Sequence, residues 1–320
     1  MSSVQSSSGG PCTPQGKRSL ERFSQRVSKG EFYEAHQALR AVINRYVNRA
    51  EYAEAVELAA GGAELLLKAG QGGSGADLVF YLLEVYDVAG VAVDDASVAR
   101  LVQLLVLLDA TDPTLKDVAT GMNNWSVKHG ECPFGDPRLH NAVAAKLLEA
   151  GLVYESERYM LLGTEESLEK YVDLLYGWFE DAGSDALAGD FVSRLVFNYL
   201  FIGNVKFALR SSQQFLTRYV DSGAAGTVDT ITKDIGGDSG ESTFTMLYFA
   251  DHMELNFLQL VLLTCMTKNR DLFATLKQQY ADCAKEYSTQ LQVLGQEYFG
   301  ITAPKQANFL QDMMSGFLGG

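Results

Sequence analysis

A glycine-rich segment is the first place in this sequence where residue types suggest chemistry. Residues 70–75, Gly-Gln-Gly-Gly-Ser-Gly, match the GxGxxG pattern with which nucleotide-binding folds hold a pyrophosphate. That chemistry needs a β-strand before the glycines, whereas Ala63 to Ala69 have the pattern of a helix end. The segment carries no positive charge, and Asp77 would lie close to any bound phosphate. We therefore interpret the segment as a turn between two helices. A nucleotide-binding enzyme remains the weakest of the three functional hypotheses that the sequence leaves open.

The remaining catalytic patterns are isolated. Gly237-Asp-Ser-Gly240 resembles the surroundings of a serine-protease nucleophile, but no histidine of the sequence has a recognisable acidic partner. The four histidines and four cysteines are dispersed, without CxxC or HExxH spacing. His36 lies on an apolar helical stripe, where we expect a hydrogen-bonded core histidine. The sequence thus predicts no enzyme, no cofactor and no metal site.

A stripe of positive charge is more informative than these motifs. Arg18, Arg22, Arg26 and Lys29 fall within about 80° of one another on a helix that turns 100° per residue. A solvated helix face is the ordinary explanation of such a stripe. All four charges of the stripe are positive, whereas the chain has a net charge of −14. This contrast favours a surface that binds a partner.

A second charged face carries the opposite sign. Asp77 and Glu84 are two turns apart on one face of a predicted helix, with Tyr81 between them. Acids in a first helical turn are favoured by the helix dipole, so ordinary surface acids remain the alternative. If the face binds a partner, we expect these exposed charges to steer association more than they add affinity.

The overall charge balance restricts the class of partner. The 320 residues include 26 Lys and Arg against 40 Asp and Glu, which opposes bulk binding of nucleic acid or of an anionic membrane. Residues 17–49 hold eight basic and three acidic residues, whereas residues 50–320 hold 18 and 37. This asymmetry suggests that partners at the N-terminal end are chosen by charge.

The elements that would position these residues are almost all helices. From Lys17 onward, apolar residues recur with helical spacing, and short connections imply antiparallel neighbours. Asp112-Pro113 and Asp136-Pro137 each predict a helix start. Glycine followed by an aromatic and a small residue recurs from Gly30 and Gly151, and more loosely from Gly203. The fold class predicted is all-α, an α-solenoid of divergent, tetratricopeptide-like helix pairs.

One segment departs from the helical pattern. Residues 227–231 and 242–249 are β-branched and aromatic, and they flank a run of glycine, aspartate and serine. They predict one inserted β-hairpin near residues 226–249, which either packs on the solenoid or waits for a partner. Phe244, Met246 and Tyr248 alternate along its second strand. We expect them to contribute to a site for an apolar partner segment, together with Phe249, Leu255 and Phe257.

The terminal regions and apolar stretches indicate a soluble cytoplasmic protein. Residues 1–16 are rich in Ser, Gly and Pro and lack the apolar core of a signal peptide, so we expect a disordered leader. The longest uncharged apolar stretch, Leu255 to Thr267, has 13 residues. A membrane-spanning helix needs about 20.

Several strings of the sequence resemble the Golgi-to-ER traffic protein four family, most closely its fungal members. The resemblance runs from about Lys17 to the end. Among the strings that carry it are Gly30-Glu-Phe-Tyr-Glu-Ala-His-Gln37, Tyr81-Leu-Leu-Glu-Val-Tyr86, Gly121-Met-Asn-Asn-Trp125, Arg194-Leu-Val-Phe-Asn-Tyr-Leu200 and the tail from Pro304 to Leu318.

The resemblance implies a scaffold in the guided entry of tail-anchored proteins. It implies that the N-terminal half, residues 17–150, binds the targeting ATPase as a nucleotide-bound dimer. The C-terminal half, residues 151–320, would hold the N-terminal segment of a ubiquitin-like adaptor, with the hairpin taking part. The candidate ATPase contacts are Arg18, Arg22, Asp77, Tyr81 and Glu84. The alternative hypothesis is a tetratricopeptide-type interaction module of another multiprotein regulatory complex.

Overall fold

The computed structural model describes residues 13–234 and 243–301. Within these ranges the chain forms fifteen α-helices and one two-stranded antiparallel sheet. The predicted fold class is confirmed: the described residues form an α-solenoid with one hairpin. The Gly237-Asp-Ser-Gly240 motif, residues 1–12 of the leader and the tail from Pro304 to Leu318 lie outside the described residues.

The chain divides into two compact units, residues 13–171 and residues 172–301 of the described part. The division falls between Tyr171 and Val172, inside α9 (Glu165–Ala182). The earlier helices are α1 (Pro14–Ser28), α2 (Phe32–Asn48), α3 (Tyr52–Lys68), α4 (Gly72–Ala89), α5 (Asp95–Leu107), α6 (Leu115–His129), α7 (Pro137–Glu149) and α8 (Val153–Leu162). After α9 follow α10 (Ala188–Phe201), α11 (Val205–Asp221), β1 (Val228–Asp234), β2 (Thr243–Phe249), α12 (Met253–Thr267), α13 (Arg270–Gln279), α14 (Ala281–Glu286) and α15 (Ser288–Phe299).

Most helix boundaries agree with the local signals in the sequence, and three differ from them. The Asp136 side chain accepts hydrogen bonds from the backbone N–H groups of Arg138 and Leu139, so α7 begins as predicted. Asp112 instead accepts from the Thr114 N–H at 2.8 Å in a turn, and α6 begins only at Leu115. Residues 270–289 have the spacing of one long helix, but the structure divides them into α13, α14 and the start of α15. Helix α1 begins at Pro14, so the end of the expected leader is helical.

The glycines of the internal repeat end one helix and allow the next to begin. Gly30, Gly151 and Gly203 have φ values of +80°, +72° and +75°. Only glycine adopts this left-handed region without a steric penalty from Cβ. The faint sequence repeat therefore marks a recurring helix–turn–helix geometry.

The first unit is built around the contact between α3 and α4. Helix α3 presents small residues to its neighbours, among them Ala55, Ala59 and Ala63, which are fully buried. Leu78 and Leu82 of α4 are equally buried. Small side chains on one helix let a second helix approach closely, and the larger leucines fill the space between them.

The second unit is built around α12, which is buried on nearly every side. Ten of its residues between Leu255 and Cys265 are buried, including Phe257, Leu258, Val261 and Leu262, each 0% exposed. A helix that is apolar all round must be enclosed by other elements. Helices α10, α11 and α13 and strand β2 all pack against it. In residues 13–234 and 243–301 we find no helix with the length and apolarity that spanning a bilayer requires.

The glycine-rich segment connects α3 to α4, and its later glycines form the first turn of α4. A Cβ on Gly75 would lie 2.6 Å from Cγ of Leu67 on α3. The carboxylate of Asp112 fills the space that a side chain on Gly72 would take. These glycines therefore permit close packing at the start of α4.

We predict that two neighbouring substitutions in this turn have opposite effects on stability. Gly75→Ala should lower the free energy of unfolding by about 1–3 kcal/mol, because the new methyl group overlaps Leu67. Gly73→Ala should raise it by about 0.5–1 kcal/mol, since no atom lies within 4 Å of the new Cβ. Urea unfolding followed by circular dichroism measures both. Equal effects of the two substitutions would contradict this packing.

Candidate functional site

The basic stripe on α1 faces solvent. Arg18, Arg22, Arg26 and Lys29 are all exposed. Phe23, 3% exposed, lies on the opposite side and anchors α1 against the rest of the unit. Thr13 caps the helix by accepting a hydrogen bond from the Gly16 N–H at 3.2 Å. The stripe is thus fixed on a packed helix and is open to a partner.

Asp77 is half-buried and is already held by α2. The His36 Nε2 atom donates to Asp77 Oδ2 at 2.7 Å, and the Arg40 guanidinium donates to the same oxygen. His36 is 7% exposed, which agrees with its expected place in the core. Asp77 is therefore the acceptor of an ion-pair cluster between α2 and α4, and not a free surface charge.

Tyr81 belongs to the same cluster, whereas Glu84 does not. The Arg40 guanidinium lies over the Tyr81 ring, 4.8 Å from its centroid. Burial raises the pKa of Tyr81, and the positive charge of Arg40 opposes this shift. Glu84 is exposed and forms no hydrogen bond or ion pair within the part of the chain that the structure describes. Of the three predicted contacts on α4, Glu84 is thus the one with a free charge.

Sequence reasoning missed Arg40 and treated His36 only as a core residue. The two are four residues apart on α2 and so share one face. That spacing is the signal that could have shown them as a pair. It could not show that α4 lies opposite, because this depends on tertiary packing.

The hairpin packs on the second unit through part of its apolar side chains. Phe244 and Met246, 3% and 6% exposed, contact Leu263 of α12. Phe249, Leu255 and Phe257 are buried as well. Of the six predicted adaptor contacts, Tyr248 alone is exposed, at 40%. The other five hold the hairpin and α12 in place.

Two polar side chains of α12 fix the outer edge of β2. The Phe249 N–H donates to Asn256 Oδ1 at 2.9 Å, and Asn256 Nδ2 donates to the Phe249 carbonyl at 2.7 Å. Gln259 makes the same pair of bonds with Leu247, at 3.0 and 2.8 Å. Both amides are almost fully buried. Buried backbone groups need such partners, so these bonds set the position of the strand.

The hairpin also leaves two of its apolar side chains exposed. Ile231 on β1 is 49% exposed and lies opposite Met246 in the antiparallel register. Tyr248 lies opposite Asp229 on the same pair of strands. Together, Ile231 and Tyr248 are the apolar side chains that the described hairpin leaves most open to a partner.

One acidic cluster in the second unit has the residue types of an oxygen-ligated metal site. The carboxylates of Asp190, Glu254 and Glu286 have oxygen atoms that all lie within 4.8 Å of one another. The Tyr287 hydroxyl donates to Glu254. Burial raises the pKa of Glu254, which favours its protonated form, and the charges of Glu286 and Asp190 add to this. The hydrogen bond and the raised pKa account for the cluster, and we assign it no ion.

Known proteins match nearly the whole chain. The family model described as Golgi to ER traffic protein 4 matches residues 49–318. Golgi to ER traffic protein 4 of Aspergillus fumigatus is 34% identical, over 95% of this chain and 90% of the relative. The protein of the same name from Schizosaccharomyces pombe is 32% identical, over 90% and 91%. The crystal structure of C. therm. Get4 superposes with a TM-score of 0.82 and 34% identity, covering 96% of each chain.

The two acids on α4 should respond differently to charge reversal. Asp77→Lys should lower the free energy of unfolding by about 1–2 kcal/mol, because it removes the acceptor of His36 and Arg40 and adds a like charge. Glu84→Lys, at an exposed position without an ion pair in the described residues, should change it by less than about 0.5 kcal/mol. Urea unfolding of both variants measures the difference. An Asp77→Lys variant as stable as Glu84→Lys would show that the cluster contributes nothing.

Proposed function

This chain belongs to the Golgi to ER traffic protein 4 family, and from that premise we propose that it is a cytoplasmic scaffold for targeting tail-anchored membrane proteins to the ER. In this proposal one chain binds a targeting ATPase and a ubiquitin-like adaptor, and catalyses no reaction itself. Holding two partners on one body raises their effective concentration to the order of mM. A client can then pass between the partners without long exposure to water.

The first unit is the proposed site for the ATPase, as a nucleotide-bound dimer. The observation that supports it is the exposed basic face of α1, with Arg18 and Arg22, in an otherwise acidic chain. Glu84 supplies a free charge of opposite sign on α4, while Asp77 and Tyr81 lie beside it in the cluster with Arg40. Charges of both signs fix the orientation of a partner, since a rotated complex would bring like charges together.

Charge reversal on each face should slow the association of the ATPase. Arg18→Glu and Glu84→Lys should each lower the association rate by about tenfold at low ionic strength, because both charges steer the encounter. Arg158→Glu is the matched control, since Arg158 is an exposed arginine of the same unit on α8. Stopped-flow binding to the nucleotide-bound dimer at two salt concentrations measures these rates.

The outcome separates the two faces. A loss with Arg18→Glu alone would restrict the interface to α1. Wild-type rates for both variants, or rates that do not change with salt, would contradict an electrostatic ATPase interface. Glu84→Lys is preferred to Asp77→Lys here because Asp77 also has a structural role.

The second unit is the proposed site for the N-terminal segment of the adaptor. What supports it is a hairpin that packs on α12 through Phe244 and Met246 while Tyr248 and Ile231 remain exposed. Phe244, Met246 and Phe249 would act indirectly, by holding the strands that carry these two side chains. Tyrosine is enriched among residues that contribute most to binding, since it has a large apolar ring and a polar end.

Truncating the exposed tyrosine should weaken adaptor binding. Tyr248→Ser should lower the affinity by about tenfold, which is typical of a tyrosine at the centre of an interface. Val293→Ser on α15 is the control, because Val293 is 37% exposed against 40% for Tyr248. Calorimetric titration with the adaptor's N-terminal segment measures both affinities. Equal affinities of the two variants would place the adaptor site away from the hairpin.

A further inference from the structure

A pocket between α1 and α2 is lined by four arginines. It has a volume of about 380 Å³ and is lined by Arg18 and Arg22 of α1, by Arg45 of α2 and by Arg49, which follows the last residue of α2. Arg18 and Arg22 are four residues apart, so both lie on one face of α1. The remaining lining residues are Gln15, Ser19, Val42 and Tyr46. None of the eight lining residues is acidic.

These four arginines carry charges that the described chain does not neutralise. None of them forms an ion pair or a side-chain hydrogen bond within residues 13–234 and 243–301. Residues 1–12, which precede α1 in the sequence, contain no acidic residue that could supply a counter-charge. Other arginines of the same unit are paired, among them Arg100 with Glu57 and Arg138 with Asp136.

Grouped charges of one sign repel one another and reduce the stability of the fold. The chain has 40 acidic residues against 26 basic ones, so acids are not scarce. A negatively charged ligand would relieve this repulsion, and a ligand that binds only the folded state stabilises it. The pocket therefore has a physical reason to take an anion.

The lining favours phosphate groups over an acidic protein segment. A guanidinium presents paired N–H donors that fit two phosphate oxygens at once. Val42 is the only aliphatic residue of the lining, and Tyr46 is 8% exposed, so an apolar side chain of a peptide would find little to contact. The adjoining groove along α1 has a more apolar lining and combines Glu31 with basic residues, so it differs from a pocket that no acidic residue lines.

We propose that the pocket between α1 and α2 binds a soluble anion that carries two or more phosphate groups. The anion lies between Arg18 and Arg22 on one side and Arg45 and Arg49 on the other. This site goes beyond the proposed scaffold function and needs no partner protein. If the ATPase also uses Arg18 and Arg22, as proposed above, the bound anion competes with it and regulates the complex.

Titration of the full chain with sodium tripolyphosphate tests the proposal directly. Replacing both Arg45 and Arg49 by Gln should weaken binding by about tenfold or more, since each charge-assisted bond contributes substantially to affinity. Arg45 and Arg49 are chosen because they are not among the proposed ATPase contacts. Arg158→Gln is the matched control and should change the affinity by less than about twofold, because Arg158 is an exposed arginine outside the pocket.

A second variant tests the proposal if the variant with Gln at positions 45 and 49 fails to fold. Arg45→Lys with Arg49→Lys retains both charges but removes the paired donors, so tripolyphosphate should bind several-fold more weakly than to the native chain. Native affinity in this lysine variant would overturn the phosphate assignment. Inorganic phosphate, with one group to share among four arginines, should bind at least about tenfold more weakly than tripolyphosphate.

Two further probes distinguish other occupants. A peptide of six glutamates that binds as tightly as tripolyphosphate, and loses affinity in the same variants, would overturn the proposal in favour of an acidic protein segment. Binding to phosphatidylcholine vesicles that contain phosphatidylinositol bisphosphate, without binding of tripolyphosphate, would overturn it in favour of a membrane. No binding of tripolyphosphate at millimolar concentration, or an equal loss in the Arg158→Gln control, would also overturn it.

Discussion

The second unit depends on enclosing α12, which has no face suited to water. Helices cover most of its surface, and the hairpin covers the rest through Phe244 and Met246. An isolated two-stranded sheet is marginal in water, so the hairpin also depends on α12 for its stability. Asn256 and Gln259 make this dependence specific, because their buried amides complete the outer edge of β2. Strand and helix thus stabilise each other, and the exposed Tyr248 is positioned as a result.

Charge is organised differently in the first unit. Asp77 is surrounded by His36 and Arg40, so it contributes to the packing of α2 against α4 before any partner arrives. The arginines between α1 and α2 lack such acidic partners among the described residues, and their charge projects into solvent. A partly buried ion pair is protected from salt, whereas exposed charges are screened within about 10 Å at 0.1 M salt. The paired charges around Asp77 therefore stabilise the fold, whereas the unpaired arginines are available to bind a partner or ligand.

Much of the candidate site could be predicted from the sequence, but the role of individual side chains could not. Helical spacing placed Arg18 and Arg22 on one exposed face, and period-two alternation identified the strand with Phe244, Met246 and Tyr248. This alternation could not show that Phe244 and Met246 are covered by α12 while Tyr248, on the same face of the strand, remains exposed. Exposure depends on which neighbouring element covers a side chain, and alternation along the strand does not encode this. For the same reason Asp77, which the sequence suggested was exposed, is half-buried.

By itself, the sequence determined the secondary-structure elements, the fold class and the family. Helical periodicity, glycines that end helices and short segments typical of the family are all local signals. The sequence also determined the charge asymmetry, which is a property of composition. Only the tertiary structure decided that Asp77 meets Arg40, that β2 is fixed by Asn256 and Gln259, and that Arg45 and Arg49 share a pocket with Arg18 and Arg22. These contacts join residues on different elements. Their geometry follows from how side chains of different helices interlock, which no local pattern encodes.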